Sequence, residues 1–157
     1  MSRVLGEYFK TVYSSDVDNY GYAKVMDYLK TTEFSGLVDW IITNPPFNLA
    51  EKFALKAIQE ANEGCALLVR TSFLEGGGRY VRLFEPHPPT YILQFTERVP
   101  MHKGRLLEKG STATSYCWLI WFVTATIDEP TLCWTGICRK KLERDGDYER
   151  DQKTLGI

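Results

Sequence analysis

The sequence predicts an α/β protein with a mostly parallel sheet and helices against its faces, and three observations carry that prediction. A short apolar run, Asp39-Trp40-Ile41-Ile42-Thr43, stops at Asn44 before two prolines, and a helical pattern of Leu49, Phe53, Leu55, Ala57 and Ile58 follows at once. Two more strand-like runs, 64–69 and 91–95, flank a helix-compatible stretch at 73–84. The most continuously apolar run, 116–123, suits a strand covered on both faces.

Taken in order, Val4, Leu5, Tyr8 and Phe9 recur at helical spacing, and 11–16 then predicts a short strand ending in an acid, Asp16. A turn at Asn19-Tyr20-Gly21 leads to a predicted helix over 22–29, with Asp27 near its end, and a loop over 31–36. Pro45 and Pro46 lack the N–H that a strand or helix needs, so the chain must leave the sheet at Asn44. The next helix therefore starts at the carboxyl edge of a strand, where open α/β sheets bind ligands. Past 73–84, which contains Gly76-Gly77-Gly78, the prolines of 86–89 break the chain. The polar stretch 97–115 carries Arg98, His102, Lys103, Arg105 and Lys109. It connects 91–95 to the apolar run 116–123. Residues 131–137 predict a short edge strand, and the charged tail 139–157 predicts a mobile or loosely docked segment. The chain therefore divides into one domain, 1–138, and a tail, 139–157.

The 157 residues, 44% hydrophobic and 25% charged, provide material for one real core. Nineteen basic against twenty acidic side chains leave a formal charge of −1, so any nucleic-acid surface must be a local basic patch. Cys65, Cys117, Cys133 and Cys138 have no paired CxxC spacing, which reads as reduced core thiols in a cytoplasmic protein. No apolar run is long enough to span a bilayer as a helix. His87 and His102 have no companions at metal-ligand spacing, so no metal is assigned. The glycine run 76–78 lacks the spacing of a phosphate cradle, and no serine or cysteine sits in a nucleophile elbow.

The tetrapeptide Asn44-Pro45-Pro46-Phe47 should arise by chance in roughly one chain in a thousand of this length. Placed after a strand, it resembles the catalytic motif of S-adenosylmethionine-dependent amino-group methyltransferases, above all the DNA N6-adenine methyltransferases of phage or prophage type. The resemblance covers roughly residues 2–123. It implies a class I methyltransferase fold, a Rossmann-like three-layer sandwich with one antiparallel strand near the carboxyl end. It also implies the cofactor S-adenosylmethionine and the exocyclic amine of adenine in DNA as methyl acceptor. Asn44 and the Pro45 carbonyl would accept the amine's two hydrogens, Pro46 would stiffen the turn, and Phe47 would give the extruded base an aromatic face. Asp16 matches the acid that accepts from the cofactor ribose, and Asp27 the acid that contacts its adenine; each has the alternative reading of a cap or a solvated charge. Arg70, with Thr71 and Ser72, should line the same edge, where Arg70, Arg98, His102, Lys103 and Arg105 would meet substrate.

One departure from the family stands out. There, a strand and a glycine-rich loop that cradles the methionine part of the cofactor precede the acid matching Asp16, whereas here no Gly-x-Gly occurs before it. The expectation is an amino-terminally truncated methyltransferase, or one whose first strand comes from another polypeptide. Unpaired edges inside the sheet would then favour rearranged pairing, self-association and weaker cofactor binding. Two alternatives remain: a non-catalytic nucleic-acid-binding or subunit-interaction module with the same fold, and methylation of RNA or of a protein glutamine amide.

Overall fold

The computed structural model describes residues 1–21, 23–99 and 114–144. Among them, β1 (Ser15–Asp16) and β2 (Lys24–Val25) form a small parallel sheet of their own. A five-stranded sheet is built from β3 (Trp40–Thr43), β4 (Gly64–Arg70), β5 (Tyr91–Gln94), β6 (Tyr116–Phe122) and β7 (Thr131–Trp134), in the order β3-β4-β6-β5-β7. β3 runs parallel to β4 and β5 parallel to β7, while β6 lies antiparallel between β4 and β5. The fold is thus mixed α/β with one reversed strand near the carboxyl end, and β7 takes the edge position expected for 131–137.

Between β3 and β4 the chain crosses back through α2 (Ala50–Glu60). Its line of contact is made by Ala50, Ala54 and Ala57, all fully buried, while the larger Phe53, Leu55 and Ile58 flank the core. Small side chains at this spacing let the helix lie close on the strands, a detail that the apolar pattern of the larger residues does not show. After β4, a 3-10 turn (Thr71–Leu74) and Gly76 at φ 109° lead into α3 (Gly77–Arg79), which passes directly into a π-helical turn (Tyr80–Phe84). The expected helix over 73–84 is therefore interrupted where glycine adopts a backbone angle closed to other residues. Phe73 and Leu83 from this run join the core with α2.

That core lies on one face of the sheet, where Cys65, Leu67 and Val69 of β4 sit beside Cys117, Leu119 and Trp121 of β6. The alternate residues Trp40, Ile42, Leu68, Trp118, Ile120 and Phe122 form the other face. Beyond α2 and the π-helical turn, no described helix exceeds four residues. Among the described residues the expected three layers are therefore two, with helices on one side of the sheet.

The amino-terminal third departs most from expectation. Helix α1 covers only Ser2–Leu5, and the strand expected over 11–16 is confined to Ser15–Asp16. Where a helix over 22–29 was expected, Lys24–Val25 is a strand, and a 3-10 turn covers Tyr28–Lys30; Tyr22 lies outside the described residues. The break comes at Asp27, whose backbone is extended (φ −83°, ψ 106°) and whose Oδ1 accepts from Leu29 N at 3.0 Å. An aspartate bonding the backbone two residues on competes with helix at that point. The start of the expected tail is docked: in α4 (Arg139–Leu142) Arg139 N donates to Glu97 Oε2 at 2.8 Å, and beyond it Arg144 Nη2 donates to Glu7 Oε2 at 2.8 Å. Residues 145–157 lie outside the described residues.

Gly64 begins β4 where no side chain fits. A Cβ there would come within 2.5 Å of the Trp121 carbonyl and 2.7 Å of the Trp40 indole, which Glu63 holds through Trp40 Nε1 at 3.0 Å. The Trp40 ring in turn meets Phe122 edge-on at 5.1 Å. Gly64→Ala is expected to cost about 1–3 kcal/mol by overpacking, read as a lower urea midpoint with unchanged slope. Burial pushes the Cys65 thiol up to about 12 and the Cys117 thiol up to about 11. In the native protein, Cys133 and Cys138, both partly exposed, should therefore be alkylated at mildly alkaline pH while Cys65 and Cys117 are spared; mass spectrometry of the labelled peptides checks this.

Candidate active site at the carboxyl edge of the sheet

Asn44 stands exposed immediately past β3, and the buried Pro45 anchors the turn behind it. The Pro46 carbonyl accepts from Leu49 N at 2.8 Å, so the chain has reversed before α2 starts at Ala50. Phe47 sits in this reversal, half-buried. Its ring lies 6.0 Å from that of Tyr116, tilted by 37°, and the Arg70 guanidinium lies over it at 4.2 Å.

The three meet because of strand register. In the β4–β6 ladder the last residue of β4, Arg70, faces the first residue of β6, Tyr116, which puts both side chains on the same face at the carboxyl edge. Tyr116 is buried whereas Arg70 is exposed. A cation over an aromatic ring at an exposed site contributes about 0.5–1 kcal/mol. Among the described residues Arg70 makes no ion pair and no side-chain hydrogen bond, whereas the next two arginines are both engaged. Arg79 donates to the Phe73 carbonyl at 2.6 Å, and Arg82 to Glu51 at 2.6 Å. The Arg82 guanidinium holds the Glu51 carboxyl below its ordinary value.

Polar side chains lock the edge behind this cluster. Thr71 N donates to the Ser115 carbonyl at 2.9 Å and Thr71 Oγ1 to Gln94 Oε1 at 3.3 Å. Gln94 Nε2 in turn donates to the Phe95 and Tyr116 carbonyls, at 2.8 and 3.1 Å. The described ends of the β5–β6 connection, through Val99 on one side and from Thr114 on the other, lie at this same edge. Arg98 is exposed there; His102, Lys103 and Arg105 lie outside the described residues.

Asp16 and Asp27 come together by a different route. β1 and β2 are parallel, with Asp16 paired to Val25, so Asp27 follows from the same carboxyl end as Asp16. Asp16 Oδ1 accepts from Asp18 N at 3.0 Å, and Asp27 takes the Leu29 amide on Oδ1 with Lys30 at 3.3 Å from Oδ2. Each thus fills the turn-capping role that was its alternative reading, with lone pairs left over on each carboxylate. Tyr28, next to Asp27, packs its ring 5.2 Å from Phe53 and lies under the Lys56 ammonium at 5.4 Å, so α2 positions this segment as well. Burial, and then the Glu60 carboxylate, raise the Tyr28 hydroxyl above the ordinary tyrosine value.

The sequence brings Asn44–Phe47 and Arg70 to one edge, as the structure does. It did not single out Tyr116 and Gln94 as site residues, because both read as strand positions. The signal that would have found them is the register of β4 and β6, which depends on pairing partners distant in sequence. Among the described residues no three His, Cys, Asp or Glu side chains converge as metal ligands, and no helix is long and apolar enough to cross a membrane. Comparison with known proteins finds no matching family model, no matching curated protein and no matching solved structure.

Just beyond this edge, Glu97 Oε2 accepts from Cys138 N at 2.7 Å and Arg139 N at 2.8 Å, clasping the start of α4. Those amides, Arg139's first, hold the Glu97 carboxyl below its ordinary value of 4.5. A depressed carboxyl stabilises the folded state above the unfolded value, and the contribution is lost as pH falls through the folded one. Hydrogen exchange should accordingly show the Cys138 and Arg139 amides protected near neutral pH and released in acid, with Glu97→Gln releasing them at neutral pH.

Proposed function

We propose that this chain carries the acceptor site of an S-adenosylmethionine-dependent methyltransferase acting on the N6 amine of adenine in DNA, on a class I methyltransferase-like framework. The observation that carries the reading is the position of Asn44-Pro45-Pro46-Phe47, immediately past β3, with Phe47 against Arg70 and Tyr116 at the same edge. The exocyclic amine of a purine is a weak nucleophile because its lone pair is delocalised into the ring. Acceptors placed where its two hydrogens point, as the nitrogen becomes tetrahedral, return that lone pair to the nitrogen. Asn44 Oδ1 and the Pro45 carbonyl are the groups for this, and Phe47 offers the extruded base a face to stack on. No covalent intermediate with the protein is needed. The surplus proton leaves the methylated amine for water.

For the cofactor, the adenosine end has the better fit. Asp16 and Asp27 follow from one carboxyl edge, and each retains acceptor capacity after its turn-capping bonds. They would hold the ribose hydroxyls and the adenine. Before β1 the single glycine, Gly6, is in right-handed helical geometry (φ −62°), and no glycine cradle for a methionine end lies within those residues. When bound, S-adenosylmethionine would supply an electrophilic methyl on a positively charged sulfur.

Calorimetric titration of the chain with S-adenosylmethionine, paired with transfer of labelled methyl to unmethylated DNA, RNA and protein, tests the reading. Asp16→Ala should weaken cofactor binding roughly tenfold or more, as loss of a charge-assisted hydrogen bond does. Asn44→Ala should leave binding in place and cut methyl transfer by about 10²–10³. Absence of cofactor binding by the folded chain would remove the enzymatic reading, and labelling of protein alone would remove DNA as substrate.

A further inference from the structure

We infer that Arg70 is an exchangeable cover on the stacking face of Phe47: an unstacked adenine displaces it, and its guanidinium then moves to a phosphate beside that base. The inference rests on the adenine reading above and deepens it, because it names the ligand as a nucleotide within a strand. Neither a free base nor a protein amide would engage both halves of the device.

The asymmetry of the cluster carries the argument. Tyr116 is buried and fixed in the ladder between β4 and β5, and Phe47 is tethered between Pro46 and the start of α2. Arg70 is the member able to move: it is exposed, sits at the end of its strand, and makes no ion pair among the described residues. Among the described residues, its guanidinium is held by the Phe47 ring, at 4.2 Å. A planar guanidinium and a planar base present the same kind of face to an aromatic ring, so one can take the other's place. A phosphate then matches the guanidinium better than the ring does, through two parallel charge-assisted hydrogen bonds. Arg79 and Arg82, the next two arginines along the chain, cannot serve in this way because carbonyls and Glu51 already occupy them.

The probe is 2-aminopurine, a fluorescent adenine analogue quenched by stacking, presented to the full chain both as a free nucleoside and within a single-stranded oligonucleotide. In Arg70→Ala, oligonucleotide affinity should fall about threefold to tenfold, with the salt slope shallower by about 0.7. Nucleoside affinity should hold steady or rise about twofold to fivefold, because no cover has to be displaced. Phe47→Ala should abolish quenching of both probes and keep the salt-dependent oligonucleotide binding, and circular dichroism confirms that both variants fold. Equal weakening of nucleoside and oligonucleotide in Arg70→Ala would overturn the inference, as would no change in either, or no quenching by the unsubstituted chain. Methyl transfer measured in parallel separates the two claims. Quenching with this pattern but no transfer keeps the cover and removes the enzyme, whereas transfer to DNA indifferent to Arg70→Ala keeps the enzyme and removes the cover.

Discussion

Everything in the larger sheet hangs on β6, which is hydrogen-bonded along both edges. Its seven residues pair with β4 from Gly64–Phe122 to Arg70–Tyr116, and four of them, 117–120, pair with β5. A strand so placed must be apolar on both sides, and Tyr-Cys-Trp-Leu-Ile-Trp-Phe is. Without β6, β4 and β5 would each expose a bare ladder of N–H and C=O groups, and β7, which among the described strands pairs with β5 alone, would lose its link through the sheet to β4. The same register delivers Tyr116 to Arg70, so the strand that closes the sheet also assembles the candidate site.

Charge is distributed unevenly around that site. On the helical side of the sheet, Arg82 pairs with Glu51 and Lys56 with Glu60 at 2.7 Å. At the carboxyl edge, by contrast, Arg70 rests on an aromatic ring whose attraction is weaker than that of a carboxylate or phosphate. A protein with a net charge near zero can still offer an anion a defined landing point in this way.

How much of this was legible in the sequence follows from the range of the interactions involved. Pro45 and Pro46 act on their own residues, so the end of β3 and the start of α2 could be read directly. The reversed direction of β6 was what the family resemblance implied, whereas the edge strand in 131–137 was read from the chain itself. The helix expected over 22–29 failed because Asp27 turns its own backbone, a local bond that outcompetes a weak apolar pattern. The third layer failed for another reason. It was expected from the alternation of strands and helices as well as from the family resemblance, and no described segment beyond α2 and the 71–84 run carries a helix of more than four residues. Arg70 was legible as an edge residue, but its contact with Phe47 depends on a β4–β6 register that pattern alone cannot fix.

The long connection that brings β6 home also sets the order in which the sheet can assemble. β3, α2 and β4 form one continuous unit closed by short connections, whereas Arg70 and Tyr116 are roughly 45 residues apart and pay a larger loop-closure entropy before any contact rewards them. The crossover unit can therefore form early, with the apolar edge of β4 waiting for its partner. In that interval Cys65-Ala66-Leu67-Leu68-Val69 is an apolar, uncharged strand with one open edge, the kind of segment that joins another chain when its own partner is late. Recovery of this protein from the unfolded state is consequently a contest between closing a loop and meeting a neighbour, and dilution favours the loop.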